Sequence, residues 1–156
     1  MTDDERDKPG VVAPPPLIYA GPLVLGLLLN GRFPVPFLPR GMRRVLGWPL
    51  LGGGVLLMNW FFWTLRSAGT PVNPEKPVSS LVTDGPFRYT RNPGYLSMAV
   101  IYTGIASLAN ALWAILFLPA ALAVVQRGVI EREGRYLERK FGEEYLGYKA
   151  QARRWI

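Results

Sequence analysis

A formal charge of +7 on a 156-residue chain that is 49% apolar is an unusual pairing for a soluble domain. A nucleic-acid binder would carry its Lys and Arg on a solvated face with few long apolar runs, whereas charge-free runs dominate here. Cysteine and histidine are both absent, which excludes disulfides, thiolate catalysis and the commonest general base and metal ligand.

Residues 1 to 14 are charged, proline-rich and aperiodic, and they read as a disordered tail. Their opening "MTDDERDK" is mostly acidic, unlike a secretory leader, so the first apolar segment is expected to be retained. Three runs lack Asp, Glu, Lys and Arg altogether: Pro9 to Gly31, Val45 to Leu65 and Asn92 to Gln126. About 20 apolar residues cross a hydrocarbon core. The first run predicts a helix over residues 16–29, with proline tolerated in its first turn. "NGRFPVPFLPRG" then cannot be regular helix.

The second run predicts a span over residues 45–65. Its Gly52 to Gly54 lack the strand-and-helix context of a phosphate loop and read as a close-packing surface. Trp60 and Trp63 read as an interfacial aromatic belt. Turn formers fill the loop to Pro93. The third run is long enough for two short crossings, over 95–108 and 111–126, folding back near Leu108 to Asn110.

With four spans, the amino terminus, the 66–94 loop and the tail share one side and hold 14 of the 18 basic residues. The positive-inside bias puts that side in the cytoplasm, although Arg32, Arg40, Arg43 and Arg44 oppose it. The expected fold class is therefore all-α and integral to the membrane. It has about four transmembrane helices, the last two a hairpin, plus a cytosolic amphipathic helix, in one domain over residues 15–156.

That tail helix is drawn from Ile130, Gly134, Leu137, Phe141, Tyr145 and Tyr148, which recur at steps of three and four. Glu133 borders the apolar stripe, where a carboxylate is costly unless it binds something, while Glu131 and Glu138 point away. The turn "GPFRYTRNPGYL" faces the same membrane surface. Arg91 there suits a carboxylate, and Glu133 suits a hydroxyl pair or an ammonium, through charge-assisted hydrogen bonds. Read without a ligand, these residues are a snorkelling arginine and a turn that starts a helix, with Tyr89 and Tyr95 as interfacial anchors.

"AGTPVNPEKPVSSLVTDGPFRYTRNPGYL" followed by "EREGRYLERKFGEEYLGYKAQARRWI" resembles the isoprenylcysteine carboxyl methyltransferase and phospholipid methyltransferase superfamily, which consists of integral membrane enzymes using S-adenosylmethionine. One motif lies at Gly85, Pro86, Phe87, Arg88, Tyr89, Arg91, Asn92, Pro93 and Tyr95. The other lies at Glu133, Leu137, Phe141, Gly142, Glu144, Tyr145, Tyr148, Arg154 and Trp155. The likeness covers about residues 66 to 156.

The resemblance implies that Arg91, Asn92, Pro93, Tyr95 and Glu133 bind the cofactor. It also implies that Arg88, Tyr145 and Arg154 close the site or steer an anionic acceptor as catalytic residues. Asn92 stands where many relatives have histidine, and Gly134 where the second of a glutamate pair is usual. Substrates implied are lipid-like or prenylcysteine-like acceptors, with no metal and no nucleic acid. A carboxylate acceptor is already ionised and needs no base, so the missing histidine favours carboxylate over amine. Two other readings are a non-catalytic scaffold and a nicotinamide-dependent membrane reductase; "FGEEY" and "RRW" favour the methyltransferase over the reductase.

Overall fold

The structure is a computed structural model, and it describes residues 10–72 and 77–156. Among the described residues six α-helices run in chain order: α1 (Pro15–Arg32), α2 (Arg40–Ser67), α3 (Pro93–Leu108), α4 (Leu112–Val125), α5 (Glu131–Phe141) and α6 (Glu143–Gln151). A 3-10 turn, Gly85–Arg88, precedes α3, and a π turn, Gln126–Ile130, joins α4 to α5. Among the described residues the β structure is one isolated parallel bridge, Thr90 with Arg153.

The helices pair as α2 on α3 and α1 on α4. Glycine makes both contacts close. A Cβ at Gly104 would stand 2.6 Å from the Leu51 amide nitrogen, and one at Gly54 would stand 2.9 Å from that of Ile101. Gly26 packs directly on the Ala114 backbone. Of the three consecutive glycines in α2, only Gly54 serves this packing, because Gly52 and Gly53 face open space. Tyr19, Tyr102, Ala106, Ala114 and Val125 form the shared core, and the Tyr102 hydroxyl donates to the Ala114 carbonyl at 2.7 Å.

Pro15 stands in the first turn of α1, where its missing N–H has no partner to lose. Pro22, Pro49 and Pro119 lie inside helices without ending them. The hairpin folds at Asn110, whose φ of 52° is one that asparagine tolerates. Its side chain accepts from the Phe37 and Leu38 amides at 3.0 and 2.9 Å and donates to the Leu38 carbonyl at 2.9 Å. The proline-rich connector is thereby fastened to the hairpin tip.

Among the described residues two helices are long and apolar enough to cross a membrane: Arg40–Ser67, and the continuous run Leu112–Phe141. Val45, Leu56 and Trp63 of α2 are each about 70% exposed, an outward apolar surface that a water-facing helix would not present. The helix expected over 111–126 does not end there; the π turn carries the helical backbone on into the charged α5.

The single tail helix expected across 130–148 is two helices. Gly142, with φ 52° and ψ −125°, adopts a backbone closed to most side chains and breaks the stripe between Phe141 and Tyr145. Residues 1–9 of the expected tail lie outside the described residues. Residues 10–14 hold no regular element up to the helix cap, yet they are anchored: the Val12 amide donates to the Gly128 carbonyl at 3.2 Å, and Arg132 Nη1 to the Gly10 carbonyl at 2.7 Å.

Candidate functional site

Pro93 fixes where α3 begins. It lacks a backbone donor and pushes Asn92 out of helical conformation, to φ −130° and ψ 54°. The residues before it turn sharply, from the 3-10 turn through Tyr89 and Thr90 to Arg91. This irregular backbone is fastened to the segment after α6: the Arg91 amide donates to the Arg153 carbonyl at 2.9 Å, and Asn92 Nδ2 to the Arg154 carbonyl at 2.7 Å.

On the other side, the π turn sets the register of α5. One extra residue per turn rotates everything beyond it relative to an uninterrupted helix. Glu131, expected to point away, consequently lines the same cavity as Glu133, and its Oε1 accepts from Gln126 Nε2 at 3.1 Å.

Between these elements lies a cavity of about 340 Å³, a size within the range of small-molecule sites. Arg91, Asn92, Pro93, Tyr95, Glu133, Tyr145 and Arg154 all line it, so seven of the eight residues singled out from the sequence surround one space. Arg88 does not line it and is exposed. Phe61, Leu65, Phe87 and Ile130 give the space an apolar wall, and Thr70 and Ser80, which lie between α2 and the 3-10 turn, add hydroxyls. Gly94 lets the Phe61 ring sit close against this wall, since a Cβ there would come 3.0 Å from the ring.

The polar groups inside differ in how well they are satisfied. Tyr95 donates its hydroxyl to Glu133 Oε1 at 2.6 Å, and the Tyr19 hydroxyl in turn donates to the Tyr95 carbonyl at 3.0 Å. Tyr95 is thus a partner of the carboxylate, whereas Tyr89, 70% exposed and 6.3 Å from the Trp60 ring, keeps an anchor's position.

Glu133 lies on α5, beyond the apolar stretch that ends at Val125. Burial pushes its carboxyl up from 4.5 to about 7, with the Tyr95 hydrogen bond pulling the other way. The Tyr148 phenol is raised mainly by burial, and the nearby Arg91 cation partly offsets this; its hydroxyl donates to the Phe87 carbonyl at 2.8 Å. Arg91 Nε is buried without a hydrogen-bond partner. An unmet donor of that kind is costly in a finished core and suits a site that receives an acceptor atom. The rim carries a Lys149–Glu138 ion pair at 3.4 Å, both side chains more than 40% exposed and the pair correspondingly weak.

Several lining residues carried no readable signal. Phe61 lies in a cluster read as membrane-interface aromatics, Glu131 was hidden by the uninterrupted helix register, and Tyr136 lies off the apolar stripe. Tyr136 is buried, accepts from the Val78 amide at 3.2 Å and pairs with Lys140 at 3.0 Å.

The family model for phospholipid methyltransferase matches residues 42–144, about two thirds of the chain. An uncharacterized protein of Haemophilus influenzae is 49% identical over 35 residues. That stretch is 22% of this chain, and the match spans 56% of the relative's length. No solved structure matches the chain.

Proposed function

The chain belongs to the phospholipid methyltransferase family, and on that premise we propose that it is an integral membrane, S-adenosylmethionine-dependent methyltransferase acting on a lipid-like acceptor. The observation that carries the reading is that Arg91 and Tyr95, ahead of and within α3, face the same cavity as Glu133, beyond α4. A nucleoside bearing a zwitterionic amino-acid tail needs an acid and a cation held apart, with an apolar wall beside them, and this cavity offers all three.

When bound, S-adenosylmethionine supplies a methyl carbon already activated by a positive sulfonium. The protein's share is to bind, align and exclude water. Glu133, steadied by Tyr95, would hold an ammonium or a ribose hydroxyl pair. Arg91 would turn its unmet Nε–H to a carboxylate, and Asn92 and Pro93 keep the turn in shape for it. Tyr145 and Arg154, also lining the cavity, would face the acceptor, with Arg88 outside as a steering cation. Phe61 and Leu65 would keep water from the reacting atoms.

Four crossings, by α1, α2, α3 and α4, with both termini and the cavity on the cytoplasmic side, complete this reading. Fourteen of 18 basic residues then lie inside, and the α1–α4 and α2–α3 pairings give each shorter helix a neighbour.

Carboxylate O-methylation is the acceptor chemistry favoured: Arg154 and Arg135 in the lining suit an anion, and a carboxylate needs no base. Amine N-methylation of a phospholipid is the second reading. It is favoured by a Glu133 carboxyl raised to about 7, suited to accepting a proton near neutral pH, and by the family's own description.

Incubating the protein with methyl-labelled S-adenosylmethionine and a lipid extract tests both. Alkali releases a methyl ester as volatile labelled methanol, whereas an N-methyl amine keeps its label in the non-volatile headgroup. Absence of labelled lipid, with cofactor binding undiminished in Glu133→Ala, would overturn the proposal.

A further inference from the structure

Asparagine is a favoured N-cap because its side chain can satisfy the first free amides of a helix. Asn92 holds the N-cap position of α3, yet its side chain makes no cap hydrogen bond. Its amide donates instead to the Arg154 carbonyl, at 2.7 Å and 62 residues away in sequence. Thr90 Oγ1 donates to the same carbonyl at 3.3 Å and accepts the Asn92 amide at 3.2 Å, while the Arg91 amide donates to the Arg153 carbonyl at 2.9 Å. One end of the segment Ala152–Trp155 is therefore bonded to each of the three residues around Arg91.

The other end reaches the glutamate-bearing helix. Trp155 Nε1 donates to Gln126 Oε1 at 3.1 Å, and Gln126 Nε2 donates onward to Glu131 Oε1 at 3.1 Å. Gln126 uses both atoms of its amide, one toward the segment and one toward the acid two residues before Glu133. Ala152 is buried and Trp155 packs on the helical core, so the segment has a fixed seat.

We propose that Ala152–Trp155 is a clasp that sets the separation between Arg91 and the carboxylates of α5, with Asn92 and Gln126 as positioning residues acting through it. In this role the Asn92 carboxamide acts through its bond to the Arg154 carbonyl rather than by touching the cofactor. This inference rests on the cofactor reading above and goes beyond it by naming what holds the two halves of the cavity in register.

The test uses the full chain in detergent with S-adenosylhomocysteine as the probe, by calorimetry. Asn92→Asp keeps the shape and removes the donor to Arg154; Gln126→Met keeps the length and removes both bonds at the other end. Each is expected to weaken binding about tenfold, and the double variant to be no weaker than the worse single one, because either break opens the same clasp. Independent, multiplying losses, or undiminished binding in both single variants, would overturn the proposal.

A second readout stands apart from the cofactor. Gln126→Met should speed hydrogen exchange at the Arg91 amide, at the opposite end of the clasp, and unchanged protection there would overturn the proposal. Should the wild-type chain bind no S-adenosylhomocysteine, the methyltransferase reading fails while the exchange measurement still decides whether the clasp exists.

Discussion

Tyr95, in the first turn of α3, donates its hydroxyl to Glu133 Oε1 at 2.6 Å across 38 residues of sequence. That bond closes the cavity's acidic side and connects the two motifs through side chains alone. Removing it tests the pair directly. Tyr95→Phe leaves the ring and deletes one hydrogen bond to an ionisable carboxyl, a class of bond worth about 1.5–3 kcal/mol. Because that bond holds the Glu133 carboxyl down, the variant's pH midpoint for S-adenosylhomocysteine binding should move upward, as calorimetry over a pH series would show. An unmoved midpoint would mean that the hydroxyl does not act on Glu133.

Glu133 also gives the free protein a pH dependence. Its folded value, about 7, exceeds its ordinary 4.5, so the folded state binds more protons than the unfolded state between those limits. Stability should rise as pH falls from 7 toward 4.5, by on the order of 3 kcal/mol at most, and stay level above 7 as far as this group decides. Ligand binding should run the opposite way. A ligand ammonium held by Glu133 needs the carboxylate ionised, so affinity should fall about tenfold per pH unit below the midpoint. Thermal unfolding with and without S-adenosylhomocysteine at pH 5.5 and 7.5 measures both trends.

Arg91→Lys keeps the charge and discards the unmet Nε–H. The free protein should lose little or no stability, because a buried unsatisfied donor disappears. Cofactor affinity should fall about tenfold through the loss of one charge-assisted hydrogen bond. Equal losses in stability and affinity would instead make Arg91 a structural residue.

Packing between α2 and α3 supplies a control far from the cavity's chemistry. Gly104→Ala places a Cβ 2.6 Å from the Leu51 amide nitrogen, where only a shift of backbone gives room. It should cost about 1–3 kcal/mol. Gly53→Ala meets nothing within 4 Å and should be neutral or stabilising by up to about 1 kcal/mol, through helix propensity. The ordering of their unfolding temperatures checks both values.

What could be read from the sequence was governed by local chemistry. Proline at position 93 cannot continue a helix backward, and charge-free runs need an apolar surrounding, so the start of α3 and the apolar segments were legible. Arg91, Asn92, Tyr95 and Glu133 were legible as candidates because cations, acids and hydrogen-bonding aromatics at the edge of an apolar run need a reason to be there. The π turn at Gln126–Ile130 was not, since it breaks no propensity rule and yet decides where Glu131 points. The break at Gly142 is masked in the sequence because the apolar spacing continues across it. Bonds to the Arg153 and Arg154 carbonyls were invisible for a different reason: every residue has a backbone carbonyl, so side-chain identity cannot announce one that is used. The α1–α4 pairing rests on Gly26 meeting Ala114, and two small residues far apart in sequence carry no mark of their contact.

The Asn110 fastening has a mechanical corollary. It pins the tip where α3 turns into α4 to the connector between α1 and α2, at the far end of the bundle from the cavity. The other end of α3, sixteen residues or about 24 Å away, is tied as well, through the Arg91 and Asn92 bonds to the Arg153 and Arg154 carbonyls. The helix is thus held at both ends, like a rung between two rails, and a displacement of one rail is carried to the other.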